Sequence, residues 1–113
     1  MATILASIKE LRAGGGPNSR QCRLSVKGTI VRRHPFTHPD GSVCGGSIRL
    51  CEYGSMIDVK FVKAAEDLWS STRVGTSVQI IGFKVMRIRQ GFRYAAPGAT
   101  FELVVDDANS MML

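Results

Sequence analysis

The chain has 113 residues, enough for one domain with one modest core. Its 44% hydrophobic and 21% charged content is ordinary for a globular chain, and no apolar run approaches the roughly 20 residues of a membrane span. A net charge of +6 favours an anionic partner. The N-terminus lacks the basic-then-apolar layout of a secretory signal, so the expectation is an intracellular protein, or a domain of a longer one.

Residues 3–12 place Ile4, Ile8 and Leu11 at i, i+4 and i+7. That spacing suits a short amphipathic helix or an extended segment lying on the core. Gly14-Gly15-Gly16-Pro17-Asn18 breaks the chain. A first strand is expected from Gln21 to Arg33. Cys22, Leu24, Val26 and Ile30 share one face, and Arg23, Ser25, Lys27 and Thr29 the other. Gly28 interrupts it, as a bulge or bend would. A long loop, residues 34–42, follows, because two prolines and Asp40-Gly41 oppose regular structure.

Gly46 to Glu52 reads as a second strand with Ile48 and Leu50 inward, and Tyr53-Gly54-Ser55 as a turn. In the third strand Ile57, Val59 and Phe61 alternate with Asp58, Lys60 and Val62. The period then changes over residues 63–69 to that of a short helix anchored by Leu68 and Trp69. A long fourth strand spans Ser77 to Arg89. Val78 and Ile80 point inward, and a bulge at Gly82 makes Met86 and Ile88 the next inward pair. The last strand, Phe101 to Asp106, turns Phe101, Leu103 and Val105 to the core.

This order predicts an all-β domain with one short helix. It suits a five-stranded Greek-key barrel of the OB type, with the helix between strands three and four. Residues 1–19 form an N-terminal segment and glycine-rich linker, 20–107 the barrel, and 108–113 a tail. Such a barrel takes its ligand on strands two and three and on the loops after strands one and four, here the Phe36 loop and the turn at Gln90-Gly91.

The charges are clustered. Arg20, Arg23, Lys27, Arg32 and Arg33 form one run without an acid; Lys84, Arg87, Arg89 and Arg93 form another. If Gln90-Gly91 is a two-residue hairpin turn, Arg89 pairs with Phe92 and Arg87 with Tyr94, all four on one face. Cations beside flat rings are the chemistry of single-stranded nucleic-acid binding. An exposed hairpin with incidental cation–π pairs is the other reading.

Cys22, Cys44 and Cys51 form no Cys-x-x-Cys pair, and an odd count fits free thiols in a reducing compartment. His34 and His38 have i, i+4 spacing, but Pro35 and Pro39 preclude a regular helix there, and a zinc site would need a fourth ligand. No cofactor is expected. Without a convergent nucleophile, base or metal site, neither is an enzyme.

The segments Val26-Lys27-Gly28-Thr29-Ile30-Val31, Ile48-Arg49-Leu50, Gly54 to Phe61, Glu66-Asp67-Leu68-Trp69, Ile88 to Phe92 and Phe101 to Val105 follow one another in a telling order. From Ile8 to Asp106 the chain resembles the single-strand-binding OB domains of the replication protein A large subunit and its telomeric and meiotic relatives. The resemblance implies base stacking on two aromatics. Phe92 matches the position after strand four. Phe61 is the aromatic available at the end of strand three, although alternation turns it inward. Phe36 falls where the family carries a loop aromatic. Arg32, Arg33 and Lys60 match its habit of lining the groove with cations. The loop with two prolines and two histidines departs from the pattern, and the four-cysteine zinc insertion of one family domain is missing.

The implied function is a nuclear module that binds single-stranded DNA, or RNA, in replication, repair, recombination or telomere maintenance. Phosphates would track Arg32, Arg33, Lys60, Arg87 and Arg89, and bases would stack on Phe92 with Phe36, Phe61 or Tyr94. The alternative is a protein-interaction OB domain, an assembly subunit of a replication protein A-like complex. Its apolar contacts would be Ile4, Ile8 and Leu11, or Met111-Met112-Leu113.

Overall fold

The alternation between residues 23 and 61 is realised as three consecutive antiparallel strands: β2 (Arg23–Thr37), β3 (Val43–Glu52) and β4 (Ser55–Phe61). They belong to a computed structural model that describes residues 3–16, 23–89 and 95–107, and the backbone of 111–112. A short strand β1 (Thr3–Leu5) and a one-turn helix α1 (Ile8–Leu11) precede them. After β4 come a 3-10 turn (Lys63–Ala65) and helix α2 (Glu66–Ser70). Then follow β5 (Ser77–Ile81), β6 (Lys84–Arg87), β7 (Phe101–Val105) and β8 (Met111–Met112).

One sheet runs β6-β7-β4-β3-β2-β5-β8, with β1 beside β2. Its β7 lies parallel to β4, and its β6 antiparallel to β7. β5 and β6 stand far apart in this order, yet only Gly82 and Phe83 separate them along the chain. The sheet must therefore curl to bring them together, which gives an OB-like fold. Among the described residues no helix is long and apolar enough to cross a membrane.

The architecture differs from the expected five strands and one helix. The described residues form eight strands, and α2 lies between the fourth and fifth of them. Two of the additional strands, β1 and β8, are short edge pieces. The third arises because the long strand after the helix is broken at Gly82, whose φ of +84° favours glycine. The break flips the phase: Val78 and Ile80 face the core before it, and Phe83 and Val85 after it. Met86, expected inside, is 49% exposed.

The inward faces of the first three long strands follow the predicted alternation. Val26, Ile30, Leu50, Ile57, Val59 and Phe61 are all fully buried. α1 closes one side of this core with Ile8 and Leu11, also fully buried. Ser7 starts that helix by accepting a hydrogen bond from the Glu10 N–H at 3.2 Å. The helix expected in residues 3–12 forms only over Ile8–Leu11; before it, Thr3–Leu5 is extended and paired parallel to β2, but it is exposed and does not lie on the core.

Two features of β2 position the site. Gly28 keeps regular pairing with β5, so it is not the bulge. It is a point of close approach, where a Cβ would stand 3.1 Å from the Cys51 carbonyl and from Ile8 Cδ1. The bulge falls at Val31, where the register steps from Ile30↔Leu50 to Arg32↔Arg49. Beyond it β2 continues to Thr37 through residues expected to form a loop, and only residues 38–42 turn. Pro35 is tolerated because β5 pairs only with residues 25–29, leaving this stretch an edge on one side.

Candidate nucleic-acid interface

A single extra residue at Val31 decides what the outer face carries. Ile30 points into the core, and after the bulge Arg32, His34 and Phe36 share the outer face of β2. Ser47 and Arg49 on β3, Asp58 and Lys60 on β4 and Glu102 on β7 lie beside them. Together these side chains line a groove of about 230 Å³.

Its centre is charge-compensated. Arg49 and Asp58 are direct cross-strand partners, with Arg49 Nε 2.9 Å from Asp58 Oδ1. Asp58 Oδ2 also accepts the Ala96 N–H at 2.9 Å. Lys60 Nζ lies 2.8 Å from Glu102 Oε1. Asp58 and Glu102 are buried, so their charges require these partners. Three cations face two carboxylates across the groove, and Arg32 has no ion-pair partner among the described residues.

Ring surface comes from Phe36, half-buried, with His34 edge-on to it at a centroid distance of 6.2 Å and an interplanar angle of 72°. The tip beyond them is held by Asp40. Its Oδ1 accepts the Ser42 hydroxyl at 2.6 Å and the Ser42 N–H at 2.9 Å. Those two hydrogen bonds, the hydroxyl's foremost, hold the Asp40 carboxyl below its ordinary pKa.

The structure brings Arg32, Phe36 and Lys60 together and separates other expected site residues from them. Phe61, expected as a stacking residue, is 0% accessible and packs in the core with Ile57 and Val59, as alternation requires. Arg33 faces away from the groove because consecutive strand residues point to opposite faces, and the bulge at Val31 turns Arg32 to the groove. Its Nε donates to Thr72 Oγ1 at 2.8 Å, and its guanidinium lies 4.1 Å from the Trp69 ring centroid. Arg87 pairs with Phe101 and stacks on that ring at 5.1 Å, whereas Met86 pairs with Glu102 of the groove. Arg87 therefore lies on the other face of β6. Arg89 is exposed, beyond the end of β6. Phe92 and Tyr94, and the turn at Gln90-Gly91, lie outside the described residues.

Sequence reasoning passed over His34, Ser47, Arg49, Asp58 and Glu102 as groove residues. The signal for Arg49 and Asp58 was their outward parity on neighbouring strands. The described residues hold no group of three or more His, Cys, Asp or Glu side chains placed to share a metal ion.

α2 braces the outer end of this face. Trp69 Nε1–H donates to the Ser47 carbonyl at 3.0 Å. The indole fills the space where Gly46 lacks a side chain, since a Cβ there would come within 2.5 Å of Trp69 Cε2.

No family model and no curated protein matches the chain. Among solved structures, it is similar to the solution NMR structure of the replication factor A related protein from Methanobacterium thermoautotrophicum. The TM-score is 0.61 at 16% sequence identity, over 97% of this chain and 89% of that one. At that identity the likeness is one of fold.

Proposed function

We propose that the protein is a single-stranded nucleic-acid-binding module, with single-stranded DNA as its ligand. The observation that carries this reading is the groove, which sets the Phe36 and His34 rings beside Arg32, Arg49 and Lys60 on one sheet face. A base stacks against Phe36, and a phosphate meets Arg32. Arg49 and Lys60 are held in place by Asp58 and Glu102, so they bring polar surface to the groove rather than uncompensated charge. The fold shared with a replication factor A related protein supports the same reading. So does the net charge of +6. The roles proposed for the module are replication, repair, recombination or telomere maintenance in the nucleus, with which the free thiols of Cys44 and Cys51 are compatible.

Fluorescence anisotropy with a labelled mixed-sequence single strand of about 20 nucleotides, which exceeds one OB site, tests this directly. A duplex of the same sequence is the control. Single-strand affinity should exceed duplex affinity and fall with salt. Among the described residues the groove's one uncompensated cation, Arg32, predicts a shallow log–log slope of about −0.7. Folded protein that binds no single strand at low salt would overturn the reading.

In that event the assembly-subunit reading takes over. Its specific support is β1, where Ile4 is 40% and Leu5 57% exposed.

A further inference from the structure

The turn between β3 and β4 carries Tyr53 and Gly54, flanked by the paired residues Glu52 and Ser55. Both turn residues have positive φ, +50° for Tyr53 and +80° for Gly54, as a type I′ hairpin turn requires. Asn, Asp and Gly are the residues that favour the first position. A bulky aromatic there adopts a left-handed backbone at an energetic cost. No contact among the described residues offsets that cost, for Tyr53 is 99% exposed. A strained, fully solvated ring at a hairpin tip is suited to contact something outside the chain.

It borders a second, open surface cavity of about 260 Å³, lined also by Lys27, Gly28, Thr29, Cys51, Glu52 and Ser77. Cys51 is two positions along β3 from Arg49, so it shares the groove's face. Thr29 is the cross-strand partner of both Cys51 and Ser77. The outer surface of β3 thus leads without interruption from the groove to this cavity. Tyr53 lies four positions beyond Arg49, about 13 Å along the strand direction. The cavity offers one lysine, one carboxylate and the hydroxyls of Thr29 and Ser77, which lie 3.4 Å apart. Its charge is balanced, so its affinity must come mainly from the ring.

We infer that Tyr53 and this cavity form a second base-stacking subsite, which takes the same single strand after it leaves the groove. The inference rests on the single-strand reading above. Lys27 and the two hydroxyls contact the sugar-phosphate backbone there, while Tyr53 stacks on a base. Because stacking tolerates every base, the subsite lengthens the binding site without adding sequence preference.

The test compares labelled single strands of about 6 and about 16 nucleotides, within the range of OB site sizes, on wild type, Tyr53→Asn and Phe36→Ala. Asn suits the turn, so Tyr53→Asn should fold with equal or higher stability. It should weaken binding of the longer strand about tenfold and leave the shorter strand unchanged, with the loss persisting at higher salt. Unchanged affinity of Tyr53→Asn for the longer strand, while Phe36→Ala weakens both, would overturn the inference and leave the groove intact. If wild type binds neither length, the single-strand reading itself fails, and the second subsite with it.

Discussion

Arg49 and Asp58 face each other across the β3–β4 ladder with Nε 2.9 Å from Oδ1 and Nη2 3.4 Å from Oδ2. Their side chains are only 13% and 10% exposed. The same carboxylate holds the Ala96 N–H, so one residue ties two strands to the segment before β7. Removing one partner of such a pair strands a largely buried charge. Asp58→Ala should therefore cost about 3 kcal/mol, read as a lower urea midpoint. Asp58→Asn keeps an acceptor near Ala96 and should cost less. If it folds, it should bind single-stranded DNA more tightly than wild type, with a steeper salt dependence, because the substitution removes a negative charge from the groove.

Phe36 and Phe61 make opposite predictions from the same residue type. Phe36 is half-buried on the outer face, and Phe61 has no accessible surface. Phe36→Ala should leave the circular dichroism spectrum and unfolding midpoint nearly unchanged and cost about 1–3 kcal/mol of single-strand affinity. Phe61→Ala should cost about 3–5 kcal/mol of stability through the cavity it leaves. Any loss of binding in that variant should track its unfolded fraction.

This pair also shows what was legible in the sequence. Strict alternation placed Ile57, Val59 and Phe61 inside, because period-two burial is written into each strand. The bulge at Val31 was not legible. Val is an ordinary strand residue, and the extra position follows from how β2 meets β3. Gly28 looked like the irregularity, yet its missing side chain makes room for Ile8. Pro35 looked like a loop residue, yet the strand is an edge where it lies. The groove's charge balance was hidden for a similar reason. Acids and bases were grouped by position along the chain, whereas Lys60 and Glu102 meet only when β7 comes to lie parallel to β4.

Gly46 and Trp69 provide a test of how the groove is braced. A Cβ on residue 46 would stand 2.4 Å from the His34 carbonyl oxygen and 2.5 Å from Trp69 Cε2. One of these contacts is backbone, so rotamer change alone cannot relieve the crowding. Gly46→Ala should destabilise the protein by about 3 kcal/mol, at the upper end for overpacking. Trp69 is the chain's single tryptophan. Its emission should therefore shift to the red in Gly46→Ala as the indole is pushed outward. Trp69→Phe keeps most of the packing but leaves the Ser47 carbonyl without the indole donor, at a cost of about 1 kcal/mol.

Lys84 and Asp106 give a pH-dependent prediction. Lys84 Nζ lies 2.9 Å from Asp106 Oδ2, beside the β6–β7 ladder. That hydrogen bond, with smaller attractions to Lys84 and Lys63, holds the Asp106 carboxyl below its ordinary pKa. A carboxylate with a depressed folded-state pKa contributes stability above its unfolded value of about 3.9, and that contribution disappears as pH falls through the folded value. Lys84→Met should move the Asp106 pKa up towards the ordinary value, as followed by carboxyl NMR titration. The pair is solvent-exposed, so the stability difference between variant and wild type should be small at neutral pH and weaken with added salt. It should vanish below the folded pKa, where Asp106 is protonated in both proteins. A difference that persisted or grew in acid would show that Lys84 acts through its packing on the sheet and not through the carboxylate.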